Sequence, residues 1–436
     1  ALDVNATAIN EEMKMAAVLA IADLAKQPVP DVVNDVYKVN NLTFGPSYFI
    51  PKPVDPRLIT EVSAAVAKAA MESGVARKHI TDWNAYKNQL RQLLGQETKL
   101  TQKLYDTARN HPQRVVFAEA VHPTMLKAAV QAKAEGICCP ILLGNDETIE
   151  KLAKSLDLNI DGIEIVNLRH PREQERRERY AHILTQKRQR DGYTFQEAND
   201  KMFERNYFGM MMVETGEADA FITGLYTKYS NTIKVANEVI GIRPEYKHFG
   251  TMHIINSAKG TLYLADTLIN QDPQAEELVD IAKLSANAVR FFNETPNIAM
   301  ISHSNFGSDT SVGSQKVRDA VKILQETCPE LAVEGEMQIG FALDKELRDE
   351  MYPFNHLKGL DVNTLIFPNL TSARSSYKML QMLDSNVEII GPVQIGLNKP
   401  IHFTDFGSSV RDIVNITAVA VIDAYVEKVK NVVKSK

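Results

Sequence analysis

From residue 114 onward, short apolar runs alternate with longer amphipathic ones, and this alternation leaves the chain few folds to choose from. "RVVFAEA" (114–120) precedes "PTMLKAAVQAKAEG", "PILLG" (140–144) precedes "DETIEKLAKSL", and "IEIVN" (163–167) precedes "PREQERRERYAHILTQKRQRDG". "ADAFITG" (218–224) continues the series. Strands separated by helices are joined by crossovers, which build parallel sheets covered by helices. The expectation is an α/β fold. "GTMHII" and "GTLYLAD" flank the turn signal "NSAKG" and are expected to pair as a hairpin. The helix after them opens with "DPQAEEL", with Asp272 as its expected cap and Pro273 in the first turn. "IAMISHS", "TLIFPN" and "VEIIGPV" read as further strands, and "DIVNITAVAVIDAYVEKV" as a final apolar helix.

The first 95 residues read differently. Residues 6–26 place Ile9, Met13, Ala16, Ala17, Ala20 and Ile21 on one helical stripe. Four prolines in "FGPSYFIPKPVDPR" (44–57) stop any helix, and 58–76 form another, ended by Gly74. "DWNAYKNQLRQLLGQETKLTQKLYDTA" reads as a charged connecting helix, with a domain boundary near residue 95.

The net charge of −6 offers no basic footprint for nucleic acid. No apolar run approaches the ~18 residues a membrane span needs, and no signal peptide is visible, so the expected compartment is the cytoplasm. Cys138, Cys139 and Cys328 are too few for a disulfide framework, and the adjacent pair is expected as inert core thiols. The chain starts at Ala1 rather than Met, and the expectation is that it is part of a longer polypeptide.

Ligands in such sheets sit at the C-terminal ends of strands. The loops to examine are therefore 224–232, 302–309, 367–378 and 404–412. "ISHSNFGSDTSVGS" (301–314) is rich in Ser, Thr and Gly, and it lies between a strand and the helix "QKVRDAVKIL". Such a segment presents backbone N–H groups to an anion. Plainer roles stand beside that one. Ser302 and Ser304 would serve equally as turn-stabilising groups, Asp412 as an N-cap, Asp266 as a buried structural acid, and Tyr377 and Lys378 as helix surface. Histidines in "HPRE" and "HFTD" have no second ligand at metal spacing, so no metal site is expected.

Taken in order, these loops resemble the phosphate acetyltransferase family. The resemblance is carried by "ISHSNFGS", "LADTLINQDPQAEELVDIA", "EGEMQ" and "IFPNLTSARSSYK", and it runs from about residue 97 to the end. It implies a two-subdomain fold, isocitrate/isopropylmalate dehydrogenase-like, with largely parallel sheets and a cleft. One subdomain would span 97–246 and 393–436, the other 247–392. "ALDVNATAINEEMKMAA", "FIPKPVDPRLI" and "VAKAAMESGVA" resemble the last part of a bacterial malic enzyme. The two together resemble the layout of the large hybrid malic enzymes, with 1–95 as malic-enzyme remnant and linker.

The resemblance also marks departures. The family places a Ser-Arg pair early in its last loop; here Asp405 and Phe406 stand there, and Asp412 matches the family aspartate. Asn305 and Phe306 replace a family Thr-Lys, Lys234 stands for an arginine, and Arg188 matches one. Replacing a guanidinium by a benzyl group removes a bidentate anion clamp. No catalytic residue is therefore expected. The residues expected to bind acetyl-CoA or an anion are Ser302, Ser304, Gly307, Ser308, Arg188, Lys234, Tyr377, Gly407 and Ser408. The resemblance implies a domain that senses acetyl-CoA or CoA for a malate-decarboxylating parent, with NADP and Mg²⁺ or Mn²⁺ bound only in an upstream malic-enzyme domain. An active acetyltransferase and a pure scaffold are the alternatives. The family's subunit pairing and the apolar breadth of "LVDIAKLSANAVRFF" imply self-association.

Overall fold

The computed structural model describes every residue except 28, 30–32, 34, 35, 38–41, 43, 94–98, 227, 258, 384–386, 435 and 436. The chain divides into two compact units, Ala1–Asp106 with Glu147–Gly162, and Thr107–Asp146 with Ile163–Lys436.

In the first unit the helix Glu11–Ala25 starts later than its apolar stripe suggests. The cause is Asn10, whose side chain accepts from the Met13 N–H at 3.1 Å and sets the N-terminus. Met13 is buried with Ala64, Ala67 and Ala70 of the helix Ser63–Glu72 and with Tyr86 and Leu90 of the helix Trp83–Leu93. The three alanines let the backbones approach closely. The connecting helix appears as Trp83–Leu93 and Lys99–Asn110, and the expected boundary near residue 95 lies outside the described residues.

The second unit holds two sheets. Strands β1 (Gln113–Phe117), β2 (Cys138–Leu143), β3 (Glu164–Val166), β4 (Ala220–Thr223) and β11 (Ile401–Phe403) form one, in the order β11-β4-β1-β2-β3. All four of its pairings are parallel. Its helix-covered core includes Val116, Ile141, Phe208, Met211, Phe221 and Phe403. The second sheet contains β5 (Gly250–Ser257), β6 (Gly260–Ala265), β7 (Asn297–Ile301), β8 (Ala332–Met337), β9 (Thr364–Ile366) and β10 (Glu388–Ile395), in the order β10-β5-β6-β9-β7-β8. The expected hairpin is the antiparallel pair β5–β6, β10 adds antiparallel to β5, and the remaining pairs are parallel. The fold is α/β with parallel-rich sheets. Among the described residues no helix is long and apolar enough to cross a membrane.

Three local expectations need correction. Cys139 is exposed while Cys138 is buried, because successive strand residues face opposite sides and Cys139 lies beside the exposed Arg114. Gln274, not Asp272, caps the helix Ala275–Phe291, and the Glu277 carboxylate accepts from the Gln274 N–H at 2.7 Å. Asp272 is instead paired with Lys316. The apolar breadth of that helix is used within the chain: Leu278, Ile281, Ala282, Leu284, Ala286 and Val289 are all buried.

Candidate functional site

The loop after β7 folds around a carboxylate from the neighbouring strand. Glu336 on β8 is fully buried, and its Oε1 accepts from Ser304 Oγ (3.0 Å), Gly307 N–H (2.9 Å) and Arg318 Nη1 (2.9 Å). Ser304 Oγ also bonds Ser314 Oγ at 2.8 Å, and Ser302 Oγ lies 3.2 Å and 3.3 Å from the same two hydroxyls. Asp309 accepts from the Ser311 N–H (3.0 Å), the Ser311 hydroxyl and Ser314 Oγ (3.0 Å). These bonds, led by the Ser311 hydroxyl, hold the Asp309 carboxyl down at about 2. Ser308 Oγ accepts from the Asn305 N–H at 3.0 Å, and Phe306 packs on Tyr352 with 4.5 Å between ring centroids. Phe306 and Gly307 take φ of 45° and 88°, a turn that brings both N–H groups toward Glu336. The hydroxyl-rich cradle exists, and the chain's own acids occupy it.

The same pattern recurs at the other loops. Glu119, at the end of β1 and fully buried, accepts from the N–H groups of Gly224 (2.9 Å), Leu225 (2.5 Å) and Tyr226 (2.9 Å). Asp266, at the end of β6, accepts from Thr251, Leu268, Ile269 and Asn270 N–H groups and from Thr251 Oγ1 at 2.6 Å. Gly224 has φ of +132°, and a Cβ there would stand 2.3 Å from the Thr404 carbonyl. That close approach joins the ends of β4 and β11.

Between the two sheets lies a polar cluster. His253 on β5 is buried, its Nδ1 lies 2.8 Å from Thr267 Oγ1, and its ring stacks on Tyr377 at 4.1 Å. Tyr377 belongs to the helix Leu370–Leu383, which also carries Arg374 and Lys378. These two cations stand 3.6 Å and 3.5 Å from Asp405 Oδ2, in the loop after β11. Gln394 on β10 donates to Tyr229 at 2.9 Å and accepts from Phe403 N–H at 2.7 Å, tying the second sheet to the first. Burial chiefly raises the Tyr229 hydroxyl well above its ordinary range, with the Asp266 and Asp405 charges adding to it. Burial pushes His253 down to about 3, helped by Lys378 and Arg374.

The expected site residues thus separate. Asp266, Tyr377, Lys378 and Asp405 meet in the intersheet cluster. Ser302, Ser304, Asn305, Phe306, Gly307 and Ser308 surround Glu336. Ser408 Oγ accepts from the Asp405 N–H at 3.1 Å, Gly407 faces open space, and Phe406 is 60% exposed. Asp412 is not the N-cap. Ser409 takes that place and exchanges bonds with it, Ser409 N–H to Asp412 Oδ2 at 2.9 Å and Asp412 N–H to Ser409 Oγ at 3.2 Å. Arg188 donates to the carbonyls of Asn237 and, at 2.7 Å, Glu238, at the end of the helix Tyr229–Val239. Lys234 is exposed, 3.8 Å from Glu238. No direct bond or ring contact among the described residues joins Arg188 and Lys234 to either other group. The sequence reading missed His253, Thr267, Tyr229, Gln394, Arg374, Glu119 and Arg318. The clearest signal for any of them is a histidine inside the apolar strand "GTMHII".

The sequence profile of the family described as Phosphate acetyl/butaryl transferase matches residues 99–421. The chain is 40% identical over 97% of its length to an NADP-dependent malic enzyme of Salmonella typhimurium, and it covers 56% of that protein. The match is to the C-terminal part, so the chain spans little more than half of such relatives. It is 31% identical over 71% of its length to a phosphate acetyltransferase of Bacillus subtilis, covering 94% of it. A solved phosphotransacetylase from Streptococcus pyogenes superposes with a TM-score of 0.67 at 30% identity, covering 74% of this chain and 98% of that one.

Proposed function

The chain belongs to the phosphate acetyl/butaryl transferase family, and from that premise we propose that it is a sensor of acetyl-CoA or CoA rather than a transferase, regulating a malic enzyme of which it is part. The observation that carries this reading is the state of the groups that would hold phosphate. Ser304, the Gly307 N–H and Arg318 are bonded to Glu336, and Arg374 and Lys378 face Asp405. Acetyl transfer to phosphate needs cations and N–H donors free for the developing charge. Here carboxylates of the chain stand against them.

A domain that binds an effector without consuming it suits regulation, since coupling needs only differential affinity between two states. The parent activity in this reading is oxidative decarboxylation of malate to pyruvate, with NADP and Mg²⁺ or Mn²⁺ held in an upstream malic-enzyme domain. Self-association is the second part of the proposal. Ile339 and Leu343 of the helix Ile339–Leu343 and Leu347 and Met351 of the helix Lys345–Met351 are 38–57% exposed, and Phe354 just beyond is 65% exposed. Such a face suits a second copy.

Calorimetric titration with acetyl-CoA and thiol release from acetyl-CoA in phosphate or arsenate buffer test the sensor. Heat of binding without thiol release is the expected result. Turnover at the rate of an active transferase supports the second reading, which the family's named phosphate acetyltransferases favour. Absence of binding leaves the scaffold.

A further inference from the structure

We propose that Arg374 and Lys378 form an anion site for a phosphate group, and that Asp405 is its built-in occupant, a tethered carboxylate which an incoming phosphate must displace. The two cations lie four residues apart on the helix Leu370–Leu383, so they share one face about 5–6 Å apart at Cβ. Asp405 follows β11 of the other sheet, so the contact joins elements that belong to the two sheets. The loop holds the carboxylate in place: Asp405 Oδ1 accepts from the Phe406 N–H at 3.0 Å, and the Asp405 carbonyl accepts from the Ser408 N–H at 3.0 Å.

The geometry is that of an occupant that can leave. Charge-assisted bonds close to about 2.7–2.9 Å, whereas these pairs stand at 3.6 and 3.5 Å. Among the described residues the Arg374 guanidinium donates no hydrogen bond, so a fork suited to two oxygens faces a carboxylate without closing on it. Lys378 donates to Gln381 Oε1 at 3.1 Å and keeps its remaining donors for an anion. Both cations are partly exposed, at 45% and 42%, so a solute reaches them. Their backbone is fixed by Tyr377, which is 2% exposed and stacked on His253. The cations therefore sit on a fixed helix, and the carboxylate that faces them is placed by its own loop without closing on either. An orthophosphate or phosphate monoester dianion has the charge and the oxygens to bridge both cations. The inference needs no acetyl group and stands apart from the sensor reading.

The test uses the whole 436-residue chain at constant low ionic strength. Inorganic phosphate is titrated calorimetrically in one arm and a nucleoside 3′,5′-bisphosphate in the other. Asp405→Asn should tighten phosphate binding by roughly 2- to 30-fold, the range that two exposed ion pairs give. Adding Arg374→Gln and Lys378→Gln should abolish the gain. Asp405→Glu keeps both charge and loop, and should bind no better than the parent. The arm with the larger gain identifies whether free phosphate or a nucleotide is the source. No gain in either arm, a gain that survives loss of both cations, or an equal gain in Asp405→Glu would each overturn the proposal. Failure of acetyl-CoA to bind leaves it untouched.

Discussion

Two histidines buried as neutral groups make the second unit acid-sensitive in a calculable way. His253 and His402 are 4% and 1% exposed. Burial, with Lys378 and Arg374 adding to it, pushes His253 down to about 3, and burial alone pushes His402 down to about 4. An unhindered histidine titrates near ~6.5. Below that value the unfolded chain takes up protons that the folded chain refuses. Stability is therefore fully present above ~6.5 and is lost as the pH falls toward the folded values. At about pH 5 each unfolded imidazole is some 1.5 pH units below its pKa, which costs about 2 kcal/mol per residue and about 4 for the two, relative to about pH 8. Urea unfolding at both pH values measures the difference. Circular dichroism is the signal to follow, because the single tryptophan, Trp83, lies in the first unit. Asparagine places a polar atom near the imidazole Nδ1, which His253 uses toward Thr267 and His402 toward the Gln394 N–H. The His253→Asn/His402→Asn chain should lose about 4 kcal/mol less than the parent between the two pH values, whatever its absolute stability. Equal losses in parent and variant would refute the argument.

Glu336→Gln removes the charge opposite Arg318 and should lower unfolding stability by roughly 2–3 kcal/mol in the same assay. Gly224→Ala forces a non-glycine residue into φ of +132° and a Cβ against the Thr404 carbonyl; a loss of about 1–3 kcal/mol or more is expected, with the β4–β11 edge fraying first in hydrogen exchange. Arg348 is fully buried and donates to the carbonyls of Leu357 (2.8 Å), Leu360 (2.7 Å) and Ala342 (3.3 Å). Arg348→Met should leave those carbonyls unpaired and cost roughly 2–4 kcal/mol in thermal or urea unfolding. Leu343→Glu with Leu347→Glu should shift the chain toward monomer in light scattering, and an unchanged mass would remove these exposed residues as the pairing face.

The strand–helix rhythm was legible because it is written locally: each apolar run and each amphipathic run declares its own period. What stayed hidden depends on residues far apart in sequence. Strand β8 reads "AVEGEM", and two glutamates in a short segment argue for solvent. Yet Glu334 and Glu336 are 7% and 0% exposed, because Arg318, Ser304 and the backbone at Gly307 meet Glu336 and the His356 N–H meets Glu334. Asp405 invites the same error. In a loop that resembles the family's phosphate-binding one it reads as a repelling charge, and only the fold brings up Arg374 and Lys378 from about thirty residues earlier. The glycine- and hydroxyl-rich loops read as places whose N–H groups converge on an anion, and in the structure carboxylates of the chain itself receive those bonds. Spacing along the chain says how many donors converge, but it does not say whose oxygen they converge on. At 224–226 that oxygen belongs to Glu119, at 268–270 to Asp266 and at Gly307 to Glu336. Three of the four carboxylates are buried structural partners. Asp405 accepts one N–H, from Phe406, and its other oxygen faces Arg374 and Lys378 at 3.6 and 3.5 Å, so it is the one whose place the proposed phosphate takes.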